Sequence, residues 1–193
     1  MSTLTVEGLV IPAGWRQVLR SVQEYFPQAN IAGGALRDLY HGKPAKDVDI
    51  FVPLKEECDS SLYEDQMLML DPYAEKVASS IYGQSGNSAQ PGFRNIYVIW
   101  RLTIDGEIYE VIFIEDRGED IISVFDLSIA QIGYDGKTFR ATENFRKTVE
   151  DKIIRVCNQN RADRQTKRLE RVLSKYPEYT AEEFGEEIPF LKE

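Results

Sequence analysis

One unbroken stretch carries residue types that can do chemistry: Gly33-Gly34-Ala35-Leu36-Arg37-Asp38-Leu39-Tyr40-His41-Gly42-Lys43-Pro44-Ala45-Lys46-Asp47-Val48-Asp49-Ile50-Phe51. It joins a glycine pair at a predicted helix start to two aspartates separated by one residue. A Gly-Gly corner lets backbone N–H groups approach an anion with no Cβ in the way. The helix N-terminus behind it adds unpaired donors and the positive end of a dipole. Val48, Ile50 and Val52 alternate with Asp47, Asp49 and Phe51, which is the period of a strand. Asp47 and Asp49 then project from one side and can share a hard cation such as Mg²⁺, which prefers oxygen ligands and often binds substrate phosphates as well. Taken singly, the glycines also read as a plain turn and the acids as solvated charges on an edge strand. Taken together, a triphosphate cradle beside a divalent-cation site predicts nucleotidyl transfer.

The whole string resembles the head-domain signature of the class II tRNA nucleotidyltransferases (the CCA-adding enzymes) and bacterial poly(A) polymerases, within the DNA polymerase beta-like superfamily. That signature runs Gly-Gly-x-Val-Arg-Asp, a short apolar helix, Gly-Arg/Lys-x-x-x-Asp-x-Asp, then apolar residues. Leu36 stands here for the valine and Lys43 for the usual basic residue. The resemblance extends over about residues 30–175 and is dense only over 32–52. It implies an α+β, polymerase beta-like nucleotidyltransferase fold, with a mixed or antiparallel central sheet flanked by helices. It divides the chain into a head domain, 1–156, and a C-terminal helical extension, 157–193, that is not an independent domain. It also implies an enzyme that moves NMP from an NTP, ATP or CTP, to an acceptor hydroxyl such as a tRNA or other RNA 3′ end. Two Mg²⁺ ions would be held by Asp47, Asp49 and a third carboxylate. Backbone N–H groups at Gly33 and Gly34 would hold the β- and γ-phosphates, with Arg37 and Lys46 adding positive charge. Asp38 is expected to fix the loop by hydrogen bonding.

Glu110 is the candidate third carboxylate. It lies mid-strand in Ile108-Tyr109-Glu110-Val111-Ile112-Phe113, where an ionised group without a partner is costly and a metal would relieve it. Asp105 and Glu107 are competitors at the turn, and an outward-facing glutamate is the plainer alternative. The segment Phe125-Asp126-Leu127-Ser128-Ile129-Ala130 resembles the family's Arg-Asp-Phe-Thr-Ile-Asn, which orders the site and contacts the incoming sugar. Asp126 and Ser128 match; Phe125 and Ala130 depart. Arg164 and Lys167 or Arg168 fall near the base-reading positions of the family's neck helix. The expected Glu-Asp pair is absent there, so no choice between ATP and CTP follows. The helical body that holds tRNA in full-length members is absent too, and a chain of head-domain length points to a phage or mobile element.

Composition sets outer bounds. At 193 residues with 42% apolar content, the chain suits one domain with a real core. It has no apolar run of membrane-spanning length and no export signal, so a cytoplasmic site without membrane partners is expected. Cys58 and Cys157 lack metal spacing. His41 is the single histidine; it reads as incidental, and the count argues against a His-based zinc site. The net charge of −9 runs against RNA binding. Basic residues do gather late, at Arg155, Arg161, Arg164, Lys167, Arg168, Arg171 and Lys175. They form either a solvated helix face or a groove for nucleotide or RNA. Two further functions stay open: a minimal toxin-type or modifying transferase acting on tRNA, protein or a small molecule, and a catalytically weak nucleotide-binding interaction protein.

The elements that must position these residues follow from periodicity. Trp15, Val18, Leu19, Val22 and Phe26 predict a helix over 13–26. A strand over 30–32, a helix over 35–40 and the aspartate strand follow. Tyr73, Val77, Ala78 and Ile81 predict a helix ending near Gly83, then a Gly/Ser-rich mobile loop over 83–92. Strands over 94–102 and 107–114 are joined through the turn Asp105-Gly106. A short helix over 118–124 and a strand pair, 128–134 and 138–141, around Asp135-Gly136 come next. A helix over 145–152, an extended segment 153–156, a basic helix 161–175 and an acidic tail complete the chain.

Overall fold

The computed structural model describes residues 3–54, 63–79, 96–157 and 162–182. In chain order these form β1 (Thr3–Thr5), α1 (Ala13–Tyr25), β2 (Asn30–Ala32), α2 (Gly34–Tyr40), β3 (Val48–Leu54), α3 (Glu64–Leu70), β4 (Glu75–Ser79), β5 (Ile96–Ile104), β6 (Glu107–Glu115), β7 (Ile132–Tyr134), β8 (Phe139–Thr142), α4 (Glu143–Asp151), β9 (Ile153–Ile154), α5 (Ala162–Lys175) and β10 (Thr180–Ala181). Eight strands make one sheet in the order β1-β8-β7-β2-β3-β6-β5-β4. Within it β3 and β6 run parallel and the other neighbours antiparallel. A small second sheet pairs β9 with β10 in parallel. The architecture is α+β, a mixed and mostly antiparallel sheet with flanking helices.

Strand alternation gives the large sheet two different faces. Val48, Ile50 and Val52 of β3 are buried with Trp15, Val18, Leu19 and Val22 of α1 and Ala35 and Leu36 of α2. The opposite face carries Asp49 and, beyond it, Phe51, which is buried with Ile112, Ile114, Ile121 and Ile122. One end of this second face is therefore apolar and covered. The other end carries acids. A third cluster joins Leu127, Ile129 and Ile154 to Val172, Tyr176 and Tyr179, so α5 and the turn after it pack back on the body.

Several elements differ from the sequence expectation. Within the segment predicted helical from Tyr73 to near Gly83, Glu75–Ser79 form strand β4, not a helix, with partner β5 supplying the hydrogen bonds, and Ile81 lies outside the described residues. Tyr73 and Val77 are exposed, so their helical spacing marks no buried stripe. The helix of this region lies earlier, as α3, and Asp71 turns the chain by accepting from Tyr73 N. Ser128–Ala130 is a 3₁₀ turn rather than the start of a strand. The cause is a contact distant in sequence: Ser128 N donates to Arg155 O, and Ser128 Oγ accepts from Arg155 N. Residues 121–124 form a 3₁₀ turn capped by Asp120. β1 has no counterpart in the sequence reading. The loop 83–92, Cys58, Arg161 and the end of the acidic tail lie outside the described residues.

Candidate active site

The β5–β6 hairpin sets the register on which the site depends. Asp105 and Gly106 both have positive φ, as a two-residue type I′ turn requires. Counting outward from it places Arg101 opposite Glu110. On its other side Glu110 is the register partner of Asp49 in the parallel β3–β6 pair. Residues opposite one another share a face of the sheet, so Asp49, Glu110 and Arg101 form one row across three strands. Asp47, expected within the strand, lies one position before β3 begins, with a side chain 39% exposed.

The row is electrostatically loaded. The Asp49 carboxyl is pushed up to about 7, by burial first and then by the charges of Asp47 and Glu110, against a smaller pull from Arg168 and Arg37. Glu110 is gripped by Arg101: Oε1 accepts from Nη2 at 2.5 Å and from Nε at 3.2 Å. Three carboxylates that act on one another, one driven toward its neutral form, are residue types that a hard divalent cation would relieve. In residue type the site therefore fits Mg²⁺. Among the described residues no three or more His, Cys, Asp or Glu side chains stand together as a ready metal cage, and Glu110 is paired with Arg101.

The glycine corner is built as follows. Gly33 has φ 85 and ψ −129, a region essentially restricted to glycine. A Cβ there would also stand 3.1 Å from Cζ of Phe125. Its N–H, expected to be an anion donor, is already given to Ile132 O at 3.0 Å. That corrects the sequence reading: Gly33 shapes the turn, and any anion donors begin at Gly34, where α2 opens. Arg37 is one α-turn into that helix. Its guanidinium is 2.7 Å from Asp38 Oδ1 and donates through Nε to Tyr176 Oη at 3.2 Å. Lys46 is 90% exposed with its ammonium 3.9 Å from Asp47 Oδ2; it stands at the rim beside the acids.

Asp38 does fix the loop. Its buried carboxylate takes Arg37, Lys175 Nζ and Tyr176 Oη, and its carbonyl accepts from Lys43 N. His41 is less incidental than the sequence suggests. Nδ1 lies 2.7 Å from Arg37 O and Nε2 2.7 Å from Tyr179 Oη. Burial lowers its pKa.

Asp126 is 4% exposed. Its Oδ1 accepts from Leu127 N at 3.0 Å and pairs with Arg168 Nη1 of α5 at 3.0 Å, while Oδ2 is buried without a hydrogen-bond partner among the described residues. Arg164 lies on α5, but its side chain is outside the described set. Sequence reasoning missed Arg101, Phe125 as the cover of Gly33, and Tyr176. Only Arg101 had a signal, the hairpin register.

Comparison with known proteins gives the fold. No protein-family model matches the chain, and no curated protein matches it. Solved structures do. The Bacillus stearothermophilus CCA-adding enzyme in complex with CTP is 20% identical with a TM-score of 0.60, covering 88% of this chain and 40% of that one. The Thermotoga maritima CCA-adding enzyme complexed with tRNA is 15% identical with a TM-score of 0.60, covering 95% and 44%. An apo tRNA-processing enzyme is 17% identical with a TM-score of 0.60, covering 93% and 46%. The chain thus spans less than half the length of these structures. At such identities the likeness establishes the nucleotidyltransferase fold, and fold does not fix function.

Proposed function

We propose that this chain is a metal-dependent nucleotidyltransferase that moves NMP from an NTP, ATP or CTP, to an acceptor hydroxyl, in the first instance an RNA 3′ end. The observation that carries this reading is the Asp49–Glu110 register pair with Asp47 two positions before it. Asp49 of the Asp-x-Asp signature and the neighbouring strand's acid share one sheet face, and Asp47, Glu110 and Arg37 all act on Asp49. The capture of one structural neighbour with CTP and another with tRNA supports the choice of partners. Residues 1–156 would act as the head and 157–193 as its helical extension, in the cytoplasm. Among the described residues no helix is long and apolar enough to cross a membrane.

The chain's own groups divide the work. Two Mg²⁺ ions held by Asp47, Asp49 and Glu110 would supply acceptor activation and leaving-group stabilisation for in-line displacement. Asp49 must release its proton to solvent before it can serve as a ligand. The N–H groups that open α2 at Gly34, with Arg37, bind the phosphates, and such placed charge is the main resource when phosphoryl groups move. Lys46 adds charge at the rim. The Asp126–Arg168 pair ties α5 to the wall that sugar and base would line, with Arg164 on the same helix.

A nucleotide-binding module with little turnover is the second reading. The grip of Arg101 on Glu110 and the apolar Phe125, where the family's segment has arginine, favour it. Incubation with each α-³²P-labelled NTP, Mg²⁺, total tRNA and cell lysate separates the cases. Label in an RNA band supports the proposal and names the nucleotide. Label in protein moves the acceptor to the modifying class. Nucleotide binding without label supports the module.

A further inference from the structure

The charged row on the sheet extends one strand further than the candidate site. Asp49, Glu110 and Arg101 are followed on edge strand β4 by Glu75, the register partner of Arg101. The order across β3, β6, β5 and β4 is thus acid, acid, base, acid. Arg101 stands between two carboxylates, and Glu110, Glu75 and Asp47 all act on it. It grips Glu110 with two nitrogens. Its side chain is 39% exposed against 20% for Glu110, so the guanidinium has room to leave. Glu75 is exposed on the far side.

We propose that Arg101 is a positioning residue that holds Glu110 while no metal is bound and yields it when a divalent cation arrives, turning toward Glu75. This deepens the metal-site reading above and rests on it. The physical case is a competition for one carboxylate. Without a cation, three acids face one another and the guanidinium offsets part of their repulsion. A divalent ion at Asp47 and Asp49 draws Glu110 more strongly than Arg101 does and repels the guanidinium. Glu75 then offers Arg101 a partner one strand away, so the displaced charge is not left alone. The metal site is thereby set to bind weakly, because an ion that takes Glu110 must displace Arg101 from it.

The test is Mn²⁺ binding by calorimetry on the full chain, without nucleotide. Freeing Glu110 from a charge-assisted hydrogen bond that the ion must otherwise break corresponds to about a tenfold change in affinity. Arg101→Gln is therefore expected to bind Mn²⁺ about tenfold more tightly than wild type. In a Glu110→Gln background the same change is expected to have little effect, because Arg101 acts through that carboxylate. Should Arg101→Gln melt below the assay temperature, Arg101→Lys is measured instead. It loses the two-nitrogen grip and is expected to bind Mn²⁺ about threefold more tightly. Equal or weaker binding in the Arg101 variant overturns the proposal, as does a gain that persists in Glu110→Gln. Absence of Mn²⁺ binding in wild type, as in Asp49→Asn, overturns the metal-site reading itself.

Discussion

Asp49 of β3 and Glu110 of β6 are register partners in the parallel strand pair of the large sheet. The chain therefore brings together, on one face, two acids that are far apart in sequence.

Metal binding should depend on pH through Asp49. Its folded carboxyl is pushed up to about 7, above the ordinary carboxylate range, by burial and by Asp47 and Glu110. A metal needs the ionised form, so Mn²⁺ affinity should fall about tenfold per pH unit below 7 and level off above it. The stability of the metal-free protein has a matching sign. Because the folded pKa is raised, the folded state binds the proton more tightly, so stability is greatest at low pH within this window. It declines from about pH 4 to 7 by a few kcal/mol at most. Asp49→Asn should abolish Mn²⁺ binding, as read by calorimetry, and flatten the stability profile, as read by melting temperature against pH.

Gly33→Ala should destabilise the fold. The φ of 85 and the 3.1 Å approach to Phe125 together should cost about 1–3 kcal/mol. Made in a Phe125→Ala background, where the clash is gone, Gly33→Ala should cost less but still lower the melting temperature through backbone strain. No further loss relative to Phe125→Ala would show that Phe125 alone sets the requirement.

Arg168→Ala should leave Asp126 buried with its strongest partner gone. The pair spans α5 and the body, and the second oxygen of Asp126 already lacks a partner among the described residues. A loss of about 1–3 kcal/mol is expected. Asp126→Asn in the same background should restore part of it. Chemical denaturation of the single and double variants measures the coupling.

Tyr176→Phe should loosen the C-terminal segment. The hydroxyl donates to buried Asp38 and accepts from Arg37, while the ring belongs to the cluster with Leu127 and Ile129. The ring stays in place, so the loss should be about 1–2 kcal/mol. Hydrogen exchange should quicken in α5 and α2 before the sheet. Unchanged exchange in α5 would show that apolar packing alone holds it.

Much of this was legible in the sequence, for definite reasons. Strand alternation in 48–52 and the turn Asp105-Gly106 are local signals, and both aspartates and Glu110 follow from them. The same turn, counted outward, puts Arg101 opposite Glu110. The rest was hidden by distance. Nothing local tells that Tyr176 and Tyr179 return to Asp38 and His41, or that Phe125 covers Gly33. In the misread helix, Tyr73 and Val77 had helical spacing but are exposed, and Glu75–Ser79 form a strand. Hydrogen bonding to β5 decided it, and that partner lies twenty residues on. Ser128 likewise looks like strand until Arg155, far along the chain, takes its backbone.

The most direct measurement is single-turnover transfer from α-³²P-labelled ATP and CTP to total tRNA, comparing wild type with Asp49→Asn, both shown to be folded by melting. The account predicts label in an RNA band with wild type and a loss of at least about a thousandfold in the variant. Equal labelling by Asp49→Asn would contradict it, as would nucleotide binding by wild type with no transfer to any acceptor.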